Sequence, residues 1–449
     1  MTIMNRRHFI KQSTFLSIGG ILIPSAFFSA CRKNTLFENI NYDGKVIIIG
    51  AGAAGLYAAN ILKSKGIDFT ILEAAATHGG RMGKLAGFAD YPIDTGAQWM
   101  HGRNSIVSDL VKKNKIPNTL DDTDLSFWFN NQVVSTLPKD PFIFDADNLP
   151  DISFKDHAHQ QGFGSEYDNI VEAIAGDQGA SASTLSAYWN NKDEENWVSG
   201  DEDFKFEGTY FDVINTYIAQ AVLSNIQYNT QITDIDYNSD KVVLKDSASN
   251  TYIADKVIVT VPISILKLNE ITFNPALPSS KTEAFTKFGM GAGMKVFLKF
   301  STKFYDDNLI GGSVCGAYAD DTVGKNTSDH VLLAFVMGDQ AANLHALGSD
   351  LAVTNLLLQE LDTVYNGQAT ANFIASSVHD YTAKPFIKGA YAYSTIGMGD
   401  ARKVAAQPVA DKVFFAGEAM NVNGHHQTVH GAMEAGYKAV IDILESIKK

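Results

Sequence analysis

The stretch Lys45–Glu73, KVIIIGAGAAGLYAANILKSKGIDFTILE, constrains the fold more than any other part of the chain. Val46-Ile47-Ile48-Ile49 is an unbroken β-branched run, the pattern of a strand buried on both faces of a parallel sheet. Gly50, Gly52 and Gly55 follow at GxGxxG spacing. Ala53 and Ala54 then open an apolar, helix-competent stretch to Lys65, and Gly66 stands where a helix stops. Phe69–Leu72 reads as a second strand that ends in Glu73. In such a unit the first glycine makes a tight turn. The second lets the backbone approach a pyrophosphate, and the third lets helix pack on strand. The free N–H groups and dipole of the helix N-terminus favour the diphosphate, and the acid accepts from ribose hydroxyls. Strand, glycines, helix, strand and acid in this order predict a dinucleotide site. The motif alone does not choose between NAD and FAD.

Residues 1–31 stand apart from the predicted fold. Asn5-Arg6-Arg7-His8-Phe9-Ile10-Lys11 resembles a twin-arginine export signal, and the apolar stretch Phe15–Phe28 that follows is interrupted by Gly19-Gly20 and Pro24. Ser29-Ala30 before Cys31 resembles a lipoprotein cleavage site. Lipid on Cys31, simple cleavage near Ala30 and a retained anchor all stay open. The expected location is the periplasm or cell envelope, with contact to a membrane only through such a lipid. A twin-arginine route suits a chain exported already folded around a cofactor.

The remaining chain is too long for one core, so two domains are expected. The full sequence has two cysteines, Cys31 and Cys315, and without Cys31 no internal disulfide can form. The net charge of the whole chain is −14, and residues 1–30 carry three cations and no acid, so the rest stands at −17. That balance argues against a nucleic-acid partner and suits a cationic small molecule. Glu194-Glu195, Asp201-Glu202-Asp203 and Glu207 form an acidic cluster, read either as a cation-attracting rim or as a solvated face.

Further motifs follow. Gly79-Gly80-Arg81 sets a guanidinium near the predicted strand ends, suited to a phosphate. Next come Asp94-Thr95-Gly96-Ala97-Gln98-Trp99 and Met100-His101-Gly102. Ile226–Ile235 alternates like one strand, Lys241–Leu244 and Thr251–Ile253 read as a hairpin, and Lys256–Val261 is another buried strand ended by Pro262. Strand-like Gly289–Phe300 carries Lys295 on the same face as Phe297 and Lys299; by spacing alone that lysine points to solvent. Val413–Ala419 reads strand, glycine, acid, with Gly417 and Glu418, and Thr428 and Val429 open a final helix.

Together these segments resemble the flavin-dependent amine oxidases, a family that includes monoamine oxidases, polyamine oxidases, L-amino-acid oxidases and histone-lysine demethylases. The resemblance covers essentially the whole chain past the export signal. It implies an α/β flavoprotein with a Rossmann-like FAD-binding domain and a second, mixed α+β substrate-binding domain. The FAD domain is expected to be discontinuous, from residues 42–102, 225–285 and 396–449. The substrate domain is expected from 103–224 and 286–395. Gly80-Arg81 would close over the FAD pyrophosphate. Gly96, Ala97, Gln98 and Trp99 would pass under the isoalloxazine, Ile232 would bond the adenine through its backbone, and Glu418, Thr428 and Val429 would meet the ribityl and pyrimidine regions. Lys295 would hold a water against the flavin. Tyr391 and Thr428 would flank the substrate amine. His101 would set substrate register, its plain alternative being a structural histidine. Ala390 stands where monoamine oxidases carry the cysteine that binds flavin covalently, so noncovalent FAD is expected. No metal site is expected, since His425-His426 would need further ligands.

The implied reaction is oxidation of an amine C–N bond, with O2 taking the electrons and H2O2 and an imine or aldehyde as products. The wording around Arg81 and His101, together with Thr428, is closest to polyamine oxidases. L-amino-acid oxidase is the alternative, weakened by Gly83 where those relatives often carry an arginine. A flavin-bearing binding protein without turnover is an alternative of another class. Oligomeric state is left open.

Overall fold

The computed structural model describes residues 42–139 and 149–448. Arg6, Arg7 and Cys31 lie outside the described residues.

A five-stranded sheet, parallel throughout, forms one half. Its order is Ile226–Gln227, Asp68–Leu72, Lys45–Ile49, Lys256–Val259, Val413–Phe415. The central strand owes its place to composition. Val46, Ile47, Ile48 and Ile49 are all buried, each side chain worth about 1.5–3 kcal/mol of removal from water. Helix Ala53–Ser64 follows directly, and the long helix Val429–Ile447 packs on it. That approach is close: a Cβ at Gly436 would stand 2.3 Å from the Ala54 carbonyl oxygen. A four-stranded sheet flanks this half, with Thr251–Ala254, Val242–Asp246 and Ile232–Asp236 antiparallel and Thr272–Asn274 parallel to the last.

The expected single strand over 226–235 is two strands in two sheets. Ile226–Gln227 extends the parallel sheet, and Ile232–Asp236 belongs to the four-stranded one. Asn229, at φ 54°, turns the chain between them. The Asn229 and Thr230 N–H groups bond the carbonyls of Ala75 and Glu73, so this turn is moored to the tip of the second Rossmann strand. Period-2 alternation alone cannot register such a break.

The other half is built on a seven-stranded sheet: Phe373–Asp380, Gly293–Phe300, His330–Met337, Ala317–Asp320, Asn308–Ile310, Leu125–Phe129, Gln132–Val134. All of its neighbours are antiparallel except Asn308–Ile310 with Leu125–Phe129. One face carries Lys295, Phe297, Leu333 and Phe335, and the last three meet Tyr91, Ile93 and Ala390 in a small core between the halves. The segment Ile93–His101 therefore runs between the two halves. Its strand Trp99–His101 pairs with Asp203–Phe206. Among the described residues no helix is long and apolar enough to cross a membrane.

Candidate active site

A cavity of about 860 Å³ lies at the carboxyl ends of the parallel strands and reaches the sheet of the other half. It is lined by every predicted site residue but one: Gly50, Gly52, Ala53, Ala54, Glu73, Gly80, Arg81, Gly96, Ala97, Gln98, Trp99, His101, Ile232, Lys295, Tyr391, Gly417, Glu418, Thr428 and Val429. Gly55 is the exception. It sits behind the turn, where a Cβ would come within 2.0 Å of the Gly50 carbonyl oxygen, so its part is to let helix meet strand.

At the nucleotide end, Gly50 adopts φ 104°, a conformation costly for any residue with a Cβ. A Cβ at Gly52 would meet no protein atom within 4 Å, so that side of the turn faces open cavity. Gly52 caps the helix Ala53–Ser64 without a side-chain acceptor, which leaves first-turn N–H groups for an anion. The Glu73 carboxylate accepts from Ala51 N at 2.6 Å and Ala75 N at 2.8 Å. Two bonds leave lone pairs for a ribose diol. Burial raises the Glu73 pKa, and the backbone donors oppose that rise. Open space at Gly52, uncapped N–H groups and a spare-capacity carboxylate together fit a bound dinucleotide.

Midway, Arg81 Nη1 donates to Glu418 Oε1 at 2.8 Å and to the Ala390 carbonyl at 2.9 Å. Glu418 is buried and takes a further bond from Gln427 N. Thr428 caps the last helix: its Oγ1 accepts from Gly431 N and donates to the His425 carbonyl. Its hydroxyl is thus engaged in capping at the cavity wall.

At the far end stands Lys295, only 3% exposed. Solvent orientation, the expectation from spacing alone, is overturned because this face of Gly293–Phe300 packs against the segment that carries Asp94, Gln98 and Trp99. Lys295 Nζ donates to Gln98 Oε1 at 2.7 Å and to the Asp94 carbonyl at 3.3 Å, and lies 5.3 Å from the Trp99 ring centre. Burial pushes the Asp94 carboxyl well above the usual carboxylate range, against the pull of Lys295 and Lys325. His379, paired across the sheet from Lys295, is pushed down to about 4 by burial and then by Lys384 and Lys295.

His101 Nδ1 bonds Asp203 Oδ1 at 2.6 Å, and Tyr391 OH donates to the Asp177 carbonyl at 2.8 Å. The acidic cluster of the sequence divides. Asp203 and Glu194 line the cavity together with Asp177, whereas Glu195 pairs with Lys192 and Glu202 with Arg103 on the surface. His425 is fully buried and bonds Glu434, and His426 faces Asp193. Sequence reading missed Asp177, His379 and the buried Asp321, none of which stands in a motif.

Residues 53–156 and 207–444 match the family described as flavin containing amine oxidoreductase. The chain belongs to that family. This amine oxidoreductase is 29% identical to probable polyamine oxidase 4 of Arabidopsis thaliana, over 89% of the chain and 86% of that protein. It is 27% identical to lysine-specific histone demethylase 2 of Homo sapiens, over 93% of the chain but only 55% of that protein. It spans 30% of lysine-specific histone demethylase 1 homolog 3 of Arabidopsis thaliana. Among solved structures, cyclohexylamine oxidase from Brevibacterium oxydans superposes with a TM-score of 0.77 at 21% identity, over 91% of this chain and 100% of the other. A putrescine oxidase bound to putrescine gives a TM-score of 0.76 at 20% identity, over 90% and 99%. These likenesses show the shared fold. Family membership makes the amine oxidoreductase an FAD-dependent enzyme that oxidises amines.

Proposed function

We propose that the chain is a polyamine oxidase that holds FAD noncovalently. The observation that carries this reading is the acidic wall: Asp177, Glu194 and Asp203 line the same cavity as Lys295 and Tyr391. A substrate with a second cationic nitrogen gains from carboxylates at a distance from the reacting one, and a simple monoamine does not. The relative named as a probable polyamine oxidase supports it.

Gly50–Ala54, Glu73 and Ile232 would hold the nucleotide, and Arg81, Glu418 and the start of the last helix the rest of the cofactor. Bound FAD supplies the hydride acceptor for the carbon next to nitrogen and returns the electrons to O2. Tyr391 and Thr428 would flank the amine. Aromatic walls exclude water and hold the nitrogen by its neighbouring carbons. Lys295 would keep a water beside the flavin, its Nζ fixed by Gln98 and the Asp94 carbonyl. His101, oriented by Asp203, would set the register of the chain beyond the reacting nitrogen.

The carboxylate of an L-amino-acid substrate is best held by the bidentate fork of an arginine. Arg81 is the arginine of the lining, and it is bonded to Glu418 and the Ala390 carbonyl, which disfavours that reading. The test is an anaerobic screen of the purified holoprotein with putrescine, longer polyamines, monoamines and L-amino acids, following the flavin absorbance. Bleaching by polyamines ahead of the other classes is expected. Faster bleaching by monoamines or amino acids overturns the substrate class, and no bleaching by any amine leaves a flavin-binding protein without turnover.

Export by a twin-arginine route belongs to the same proposal, on the wording of Arg6-Arg7 and the apolar stretch after them. Lipid on Cys31 would add a membrane anchor.

A further inference from the structure

Behind the cavity wall stands a buried carboxylate that no motif announces. Asp321 follows the strand Ala317–Asp320, is 1% exposed, and is not among the residues lining the cavity. Gln98 Nε2 donates to Asp321 Oδ1 at 2.6 Å, and Tyr91 OH donates to Asp321 Oδ2 at 3.0 Å. The other end of the Gln98 amide meets Lys295, whose Nζ donates to Gln98 Oε1 at 2.7 Å. Lysine offers only donors and a carboxylate only acceptors. An amide between them therefore has one orientation that satisfies both ends: oxygen toward Lys295, NH2 toward Asp321. The reverse orientation sets donor against donor at one end and acceptor against acceptor at the other. Tyr91 holds the second carboxylate oxygen and so prevents Asp321 from turning away.

We propose that Asp321 is a positioning residue for the amine oxidation: by taking the Gln98 NH2 group it turns Gln98 Oε1 to Lys295 and fixes where the Lys295 ammonium stands in the cavity. Without Asp321 the Gln98 NH2 loses its buried acceptor and the side chain loses its anchor behind the wall, so the 2.7 Å bond from Lys295 no longer has a fixed acceptor position. The inference rests on Lys295 acting at the flavin, which Lys295→Met tests on its own.

The experiment is a double-mutant cycle on the holoenzyme, read as anaerobic flavin reduction, reoxidation by O2 and the FAD midpoint potential. Asp321→Leu is expected to slow the same half-reaction as Lys295→Met, on the order of tenfold, and to shift the midpoint potential. In the Lys295→Met background the same change is expected to alter the rate by less than about twofold and to leave the potential where it was. Asp321→Asn keeps an acceptor oxygen for Gln98 and should recover most of the rate, a rescue that a purely structural role does not predict. Equal effects of Asp321→Leu in both backgrounds, or wild-type rates and potential in Asp321→Leu itself, overturn the proposal. Wild-type behaviour of Lys295→Met removes the reading of Lys295 and this proposal with it. If Asp321→Leu fails to fold, Gln98→Met breaks the same link, and wild-type rates and potential there overturn it equally.

Discussion

Arg81 and Glu418 are joined by a 2.8 Å ion pair across 337 positions of sequence. The contact ties the loop after the second Rossmann strand to the turn Glu418–Met420 that follows the last strand of the parallel sheet, at the middle of the cavity. Both residues stand out in the sequence as cofactor contacts, one for its cation and one for its anion. The structure adds that each is the other's counterion. Glu418 is 5% exposed and Arg81 25%, so the carboxylate is the member that depends on the pair.

Arg81→Met should therefore act on folding as well as on the cofactor. The buried Glu418 carboxylate keeps only its bonds from Ala392 N and Gln427 N. Loss of a charged partner of this kind costs about 1–3 kcal/mol. Thermal unfolding of the holoprotein should shift down accordingly, and purified Arg81→Met should carry less FAD per chain. Unchanged FAD content and unfolding temperature would show that the pair is dispensable.

FAD should be released by acid. Ala390 lines the cavity and offers no thiol, so trichloroacetic acid should leave the yellow colour in the supernatant. Colour that stays with the precipitate refutes noncovalent binding.

Much of this was legible in the sequence because it is local. The Lys45–Glu73 unit needs only strand, glycine and helix patterns in order, and its residues line the cavity as read, Gly55 excepted. The start of the last helix at Thr428 and the hairpin over 242–254 are equally local. What escaped depends on partners distant in sequence. Lys295 is buried because the segment carrying Asp94, Gln98 and Trp99 lies over it, and no spacing within Gly289–Phe300 reveals that segment. Lys205, Lys281 and Lys325 are lysines whose ammonium groups end on main-chain carbonyls of other segments. Asp321 carries no motif at all, and its importance appears only when Gln98 and Tyr91 are brought to it.

His379 should make stability fall on the acid side. Its folded pKa, about 4, lies below the ordinary 6.5 because burial and the neighbouring Lys384 and Lys295 oppose its charge. Between those values the unfolded chain binds the proton and the folded chain does not, so stability falls as pH drops from 6.5 toward 4. The full difference is at most about 3 kcal/mol. His379→Gln removes this contribution, so chemical unfolding from pH 7 to 4 should show a smaller acid loss than wild type. Parallel curves for the two proteins would show that His379 protonates as easily in the fold as out of it.

The export signal is tested by Arg6→Lys with Arg7→Lys. A twin-arginine route reads the guanidinium pair itself, so the double variant should remain in the cytoplasm with its FAD bound. Undiminished export would mean that the chain leaves the cytoplasm by another signal.

Lys295→Met separates a structural lysine from one that acts on the reaction. Methionine matches the length of the buried stem and removes only the ammonium, but it strands Gln98 Oε1, which has lost its donor. A structural account predicts a stability cost of about 1–3 kcal/mol and unchanged chemistry once the protein is folded. If Lys295 instead holds a water beside the flavin, flavin reduction, reoxidation by O2, or both should slow by on the order of tenfold, about 1.4 kcal/mol in the barrier of the affected step. FAD should stay bound, since the residues proposed to hold the nucleotide, Gly52, Glu73 and Arg81, lie elsewhere along the cavity. Stopped-flow absorbance with the best amine of the screen measures each half-reaction apart. Wild-type rates in both, at normal FAD content, would leave Lys295 as a buried strand residue with a structural task that includes the bonds to Gln98 and the Asp94 carbonyl.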